Sequence, residues 1–377
     1  MAENTTGMRS SQYAIFSLMY KVTISPRWQI GKDAEAPLDT SALLGLLRAI
    51  DEGGSIAEAS RSVGLSYRYA WGLLRDAERI FGHALITSGR GRGTRLTALA
   101  DKLIWADRRI AARLSPTLES LASELENELG RLVGAATGAI RLDASHGFAV
   151  AAFLNHINAA GLPIELRYRN SSDAVAALAR RECDLAGFHV PLGEHEQQAI
   201  SRYKQWLSPR NHCLVHLATR TQGLIVAAGN PLGITGLADL ARSGVRFVNR
   251  QDGSGTRMLL ELMLPAAGLT AQQISGYENT EFTHSAVAAY IASGMADVGI
   301  GVQTAAQRFG LGFVPLVRER YFLAAASVAL DSPQMRQALD ILRSAPFRAD
   351  VGALAGYDPS DSGAILSLAD AFGPALQ

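Results

Sequence analysis

Only two cysteines, Cys183 and Cys213, occur among the 377 residues. That excludes a disulfide-stapled fold and suits a reducing compartment. No uninterrupted apolar run is long enough to span a bilayer, so no membrane partner is expected. The opening stretch MAENTTGMRSSQYAIFSLMYK lacks a basic start followed by a long apolar run. No secretory signal is therefore expected, and the expected location is the cytoplasm. Net charge is scarce as well, 36 Lys and Arg against 35 Asp and Glu, a balance of +1. Any nucleic-acid binding must come from a local basic patch. No Gly-Lys-Ser/Thr closes a phosphate loop and no Gly-x-Ser-x-Gly elbow occurs, which removes the usual signatures of nucleotide hydrolysis and serine hydrolysis.

What is present is a chain with sizeable cores, 48% hydrophobic and 19% charged, and long enough for two or three domains. YKVTISPRWQI reads as a strand. From Asp39 a helical stripe follows (Leu43, Leu46, Leu47, Ile50) and stops at EGG. Ser55 is a fair cap for a short helix that Gly64 breaks. Ser66 caps a third helix, with Ala70, Trp71, Leu74, Ala77, Ile80 and Phe81 facing inward. ALITSGRGRGTRLT then reads as a hairpin with a Gly/Arg tip.

That order suits a winged helix-turn-helix. Ala59 lets two helices cross closely, Gly64 makes the turn, and Ser66, Tyr67, Arg68, Tyr69 and Arg75 stand on the second helix. Between Ser66 and Arg95 there are six arginines (68, 75, 79, 90, 92, 95) against Asp76 and Glu78, a local excess of +4. Guanidinium groups fork onto phosphates or guanine edges. Ser55, Ser66, Tyr67, Arg68, Tyr69, Arg75, Arg90, Arg92 and Arg95 are thus the candidate DNA contacts, and double-stranded operator DNA the candidate partner. The plainer reading is an exposed helical bundle.

The strand near Tyr20–Ile30, the stretch GSIAEASRSVGLSYRYAWGLLRDAE and the wing resemble the winged-helix domain of the ModE family of molybdate-responsive repressors. The resemblance covers about Val22 to Ala112 and implies a dimeric DNA binder; that family's oxyanion-binding domain does not follow.

A long helix is predicted from Ala98 to about Val133. Leu103, Ile110, Leu114, Leu118, Leu121, Leu125, Leu129 and Leu132 form an apolar seam that suits a partner copy, in a homodimer or homotetramer, or packing on the chain itself. GAATGA (Gly134–Ala139) reads as a linker. Beyond it AIRLDA, IELRYR, DLAGFHV, GLIVAAG, VRFVN and DVGIG alternate with helices, which indicates largely parallel sheet in two lobes around a cleft. VRFVNRQDGSGTR is strand, loop, helix. Its backbone N–H groups, Ser254 and Thr256 at a helix start, and Arg250 and Arg257 nearby suit an anion, the plainer reading being a capped turn. His212 and His216 in HCLVH share a strand face but read as a strand near the hinge, so no metal site is expected.

From about Ile140 to Leu366, RTQGLIVAAGNP, VRFVNRQDGSGTR, TEFTHSAVAAYIASGMADVGIG, GFVPLVRERY and GYDPSDSGAI resemble the periplasmic-binding-protein-like domains fused to bacterial regulators and molybdopterin-biosynthesis proteins. The resemblance implies a ligand shell of Ser145, His146, Ser171 and Ser172 from one lobe. Ser254, Gly255, Thr256 and Arg257 would come from the other, with Thr283 and His284 across the cleft. Tungstate-binding relatives carry a threonine run in the first loop, where this chain has DASHGF. The expected architecture is a winged helix-turn-helix over residues 1–112, a dimerisation and linker helix over 113–138, and a two-lobed α/β type II periplasmic-binding-protein-like domain over 139–377. The expected function is a one-component transcription regulator, with no catalytic residues and no cofactor, sensing molybdate or tungstate. Formate, another small carboxylate or a sulfur oxyanion is the alternative effector, and an enzyme of molybdenum-cofactor metabolism the alternative class.

Overall fold

A computed structural model describes residues 20–32, 37–89, 93–132 and 138–373. Residues 20–28 form no strand, which corrects the reading of YKVTISPRWQI. Pro26 removes a ladder donor, the Val22 N–H donates to Glu126 at 2.6 Å, and the Trp28 indole donates to Asp107 at 2.9 Å. The segment is thus bound to a later helix, and only β1 (Gln29–Ile30) pairs, with β2 (Leu38–Asp39).

Three helices follow, α1 (Thr40–Gly53), α2 (Ile56–Ser62) and α3 (Tyr67–Phe81). Each begins on a side chain that accepts a backbone N–H: Asp39 from Ser41, Ser55 from Glu58, Ser66 from Tyr69. Gly64, with φ +71°, turns α2 into α3. Leu46, Leu47, Ile50, Ala59, Ala70, Leu73 and Leu74 fill the common core, while Trp71 and Phe81 are half-buried at its rim. β3 (Ile86–Gly89) and β4 (Gly93–Leu96) form a hairpin. It is tied to the end of α1 by the Thr94 N–H donating to the Gly54 carbonyl at 2.8 Å.

Helix α4 (Ala98–Leu132) runs 35 residues without interruption. It begins in the N-terminal core through Ala100, Leu103 and Ile104, so the expected boundary at 112 falls inside one helix. The leucine seam divides accordingly. Leu103 is consumed by the chain's own core, while Leu114, Leu121, Leu125 and Leu132 are exposed. Most of the linker GAATGA lies outside the described residues.

The remainder is one mixed sheet in the order β10-β9-β11-β8-β12-β7-β5-β6. One half carries β5 (Ile140–Ala144), β6 (Ile164–Tyr168) and β7 (Leu185–Pro191) with helices α5 (Phe148–Ala159), α6 (Ser171–Ala179) and α7 (Glu196–Tyr203). The other carries β9 (Phe247–Arg250), β10 (Thr280–Glu281) and β11 (Val298–Val302) with α8 (Gly255–Ala266) and α9 (His284–Ala292). Within each half these strands are parallel. Two 15-residue strands, β8 (His212–Val226) and β12 (Gly312–Ala326), run antiparallel through both halves. The expectation of largely parallel sheet is corrected at this point: a chain that crosses from one half to the other and back must lay its crossing strands antiparallel.

Candidate functional site

β5, β6, β9 and β10 all end at the gap between the halves, and the helices that follow them begin there, as ligand sites of α/β sheets require. The caps are Gly147 for α5, Asn170 for α6, Ser254 for α8 and Thr283 for α9. Four helix N-termini thus lend partial positive charge to one place.

Its floor is polar and deeply buried. Arg220 and Gln222 stand on β8, Glu319 and Tyr321 on β12, all 2% exposed or less. The Arg220 Nε donates to Glu319 Oε1 at 2.6 Å. Gln222 Nε2 donates to Glu319 Oε1 at 2.9 Å and to Thr256 Oγ1 at 2.7 Å. The His189 ring lies 3.9 Å from that of Tyr321, and its Nδ1 is 3.3 Å from Ser171 Oγ. Ser145 Oγ sits 3.3 Å from the Tyr321 hydroxyl. Arg250 is buried, donating from Nε to the Glu281 carbonyl and from Nη2 to the Phe282 carbonyl. Its Nη1, His189 Nε2 and His284 Nδ1 are buried without a hydrogen-bond partner among the described residues.

The charge balance follows from these contacts. Burial works against the Arg220 charge, but the Glu319 carboxylate outweighs it and holds the guanidinium above its ordinary range. Burial, then repulsion from Arg220, pushes Arg250 down to about 9. Burial, then the two arginines, pushes His189 and His284 well below the imidazole range, so both rings are neutral. Two buried guanidiniums face one carboxylate, an excess of one positive charge that favours an anion nearby.

The neutral histidines carry a prediction. In the unfolded chain both ionise near the ordinary imidazole value of about 6.5, so the unfolded state binds protons that the fold refuses. Stability is therefore lost as pH falls below that value, at up to roughly 2.7 kcal/mol per unit for two groups. Melting temperature measured from pH 7 to 5 should fall steeply; a flat profile refutes the assignment.

Of the residues anticipated from sequence, Ser145, Ser171, Arg250, Gly255, Thr256 and His284 converge on this place. The other five are placed as follows, with Ser254 and His146 also lining the cavity beside Arg250. Ser254 Oγ accepts from the Arg257 N–H and donates to the Gln251 carbonyl, so it is used as a cap. Thr283 Oγ1 accepts from the Ala286 N–H and donates to the Ala112 carbonyl of α4. Arg257 turns away, paired with Asp252 and Glu261 and lying over the Tyr277 ring. His146 faces α4, 3.5 Å from Ser115 Oγ and 3.7 Å from Glu119. Ser172 is half-buried in the first turn of α6. Arg220, Gln222, Glu319, His189 and Tyr321 were not anticipated.

Two glycines let the halves meet. Gly253, with φ +74°, has no room for a side chain, since a Cβ there would lie 2.6 Å from Asn170 Nδ2. At Gly255 a Cβ would lie 3.3 Å from His189 and Ser171. Helix α4 lies across the opening and touches both halves. Ser120 and Ser123 accept the Tyr168 and Leu166 N–H groups of edge strand β6, and Arg113 pairs with the buried Glu281 at 2.9 Å.

On the N-terminal domain, Ser55 and Ser66 serve as helix caps. Tyr67, Arg68, Tyr69 and Arg75 of α3 and Arg95 of β4 are exposed. Arg68, Gly72 and Arg75 lie on one face at helical spacing, and nothing approaches within 4 Å of a Cβ at Gly72. The fold itself does not need that glycine. Arg90 and Arg92 lie outside the described residues. Among the described residues no helix is long and apolar enough to cross a membrane, and no group of three His, Cys, Asp or Glu could hold a metal ion.

A two-halved α/β binding domain joined by two crossing strands is the class that this fold and cleft define. The model of the PBP superfamily domain matches residues 154–343, and the chain belongs to that family. YvgK of Bacillus subtilis (strain 168), itself uncharacterized, is 32% identical over 201 residues, 53% of this chain. The chain spans 64% of the length of that relative. An uncharacterized Clostridium pasteurianum protein, from the 5′ region of a ferredoxin 2Fe-2S gene, is 33% identical over 111 residues, 29% of this chain and 98% of its own length. Among solved structures, the Corynebacterium glutamicum OxyR C206 mutant is 15% identical at a TM-score of 0.40, over 85% of this chain and 96% of that one. Peb3 from Campylobacter jejuni is 18% identical at a TM-score of 0.40, over 58% and 99%.

Proposed function

We propose that the protein is a one-component transcription regulator, not an enzyme, whose N-terminal winged helix-turn-helix binds operator DNA and whose cleft senses a small anion. The observation that carries the sensor half is the uncompensated charge of Arg220 and Arg250 against Glu319, set among four helix N-termini. Molybdate and tungstate are the effectors to which the resemblance points. Formate, another small carboxylate or a sulfur oxyanion suits the same donors. The DNA half rests on the exposed face of α3, which presents Arg68 and Arg75 beside Tyr69, with the hairpin beside it.

Arg68→Ala is expected to weaken operator binding by roughly 1–3 kcal/mol if it reads a base, or to lower the salt slope by about one if it meets a phosphate. A gel-shift titration at several salt concentrations checks this, and unchanged affinity with unchanged salt dependence refutes it. Leu118, half-buried, and Leu125, exposed, serve a partner copy in this reading. Leu118→Asp together with Leu125→Asp should put charge into an apolar interface and halve the mass seen by light scattering. A folded double variant of wild-type mass places the interface elsewhere.

Arg250 links the two functions. Its guanidinium grips the carbonyls of Glu281 and Phe282, while the Glu281 side chain grips Arg113 of α4. An anion that pulls on Arg250 therefore acts one residue from the helix that carries the DNA-binding heads. A ligand shifts such an equilibrium only by its differential affinity for the two arrangements.

A further inference from the structure

Outside the buried cluster, between Arg250 and α4, lies a chamber of about 620 Å³. Arg250, Ser254 and Ser145 stand at its inner end, and Thr117 and Leu121 of α4 form its roof. At roughly 30 Å³ per water it is space for about twenty waters, several times what a tetrahedral oxyanion or formate fills. Its volume is that of a pocket for an organic molecule.

The lining agrees. Phe282 is 51% exposed and Leu121 48% exposed, and both border this chamber. The main chain at Phe282 is held by Arg250, which donates to its carbonyl. A bare oxyanion has no use for an exposed aromatic ring next to the guanidinium that would bind it, whereas an acid with an apolar body has.

We propose that the effector is an organic anion. Its acidic head lies at the inner end of the chamber against Arg250, and an apolar body fills the chamber against Phe282 and Leu121. This rests on the anion-sensor reading above and narrows its ligand class. The body would also touch α4 directly, so the ligand itself would bridge the sensor and the helix that leads to the DNA heads.

The test is calorimetry of the full chain with matched probes. Formate, phosphate and sulfate supply bare heads, with molybdate and tungstate beside them. Benzoate, phenyl phosphate and benzenesulfonate supply the carboxylate, phosphate and sulfonate heads on a ring. For whichever head binds, the ring-bearing anion should bind at least tenfold tighter than its bare counterpart. Phe282→Ala, which keeps the backbone carbonyl, and Thr117→Trp, which fills the chamber from the roof, should each remove that gain and leave the affinity for the bare anion unchanged.

Bare anions binding as tightly as the ring-bearing ones, molybdate or tungstate included, overturn this proposal and leave the anion-sensor reading standing. A tenfold gain that persists in both variants also overturns it, because the body then lies elsewhere. Binding of no anion at all overturns both readings. The two variants act from opposite walls, so the loss of one to misfolding leaves the other to decide.

Discussion

Glu319→Ala is expected to destabilise the two-halved domain by about 3–5 kcal/mol, because breaking a buried ion pair leaves its partner's charge uncompensated. The case here is stronger than for an isolated pair. Glu319 accepts from both Arg220 and Gln222, and it is the carboxylate set against two buried guanidiniums. With it gone, Arg220 and Arg250 repel each other in a medium that screens poorly. Replacing both partners, Arg220→Met with Glu319→Leu, should recover much of the loss, since a well-packed apolar pair avoids desolvating either charge. Differential scanning calorimetry of the three proteins checks this through the transition of that domain. A single variant that melts with the wild type would mean that the pair is worth little and that the excess charge is neutralised in some other way.

Arg250→Leu should produce an opposite pair of effects. The free protein should gain stability, because a guanidinium already held down to about 9 is a charge the fold disfavours. Anion affinity should collapse. A hydrogen bond to a charged group is worth about 1.5–3 kcal/mol, and truncating one side of a buried charge pair costs about 2–5 kcal/mol. The loss in affinity is therefore roughly a hundred- to a few thousandfold. Thr256→Ala, which removes a hydroxyl already engaged by Gln222, should cost less, roughly ten- to a hundredfold. Calorimetry with molybdate, tungstate, sulfate and formate, alongside melting curves without ligand, measures both effects. An Arg250→Leu protein that melts higher and binds as before would remove this arginine from the ligand site. One that melts lower would show that its hydrogen bonds to the Glu281 and Phe282 carbonyls outweigh its burial.

Local signals made much of this legible in the sequence. Ser55, Ser66, Ser254 and Thr283 announce helix starts because a hydroxyl there can accept an orphan N–H. Gly64 announces a turn. The same capping chemistry gives hydroxyls in the candidate ligand set a second role. A hydroxyl at a helix start looks alike whether it holds a ligand or its own backbone, and at Ser254 and Thr283 the backbone has it. Arg220, Gln222 and Glu319 were hidden for a different reason. They meet only when two strands about a hundred residues apart pair Arg220 with Glu319. A signal did exist: a charged residue inside HCLVHLATRTQGLIV is seldom buried unless paired, so an unexplained arginine in a core strand calls for a buried acid elsewhere. The antiparallel crossing strands left no local trace, because parallel and antiparallel strands buried on both faces share one apolar pattern. Arg257 could not be placed because its partners Asp252 and Glu261 surround it in sequence as closely as the loop does.

The proline within α4 has a mechanical consequence. Pro116 has no N–H to give to the carbonyl four residues back, and that carbonyl belongs to Ala112, where the Thr283 hydroxyl donates at 3.1 Å. This joint, short of one internal hydrogen bond, is thus also one of the rod's points of attachment to the cleft. Eighteen residues separate Pro116 from Ala98, roughly 27 Å of helix at about 1.5 Å per residue. A tilt of about 10° at that joint carries the far end roughly 5 Å. If the proposed seam joins two copies, two such arms splaying from it would change the distance between their recognition helices by about 10 Å, against a half-site spacing of about 34 Å. Such a change is large enough to move a pair of heads from fitting successive major grooves to missing one of them.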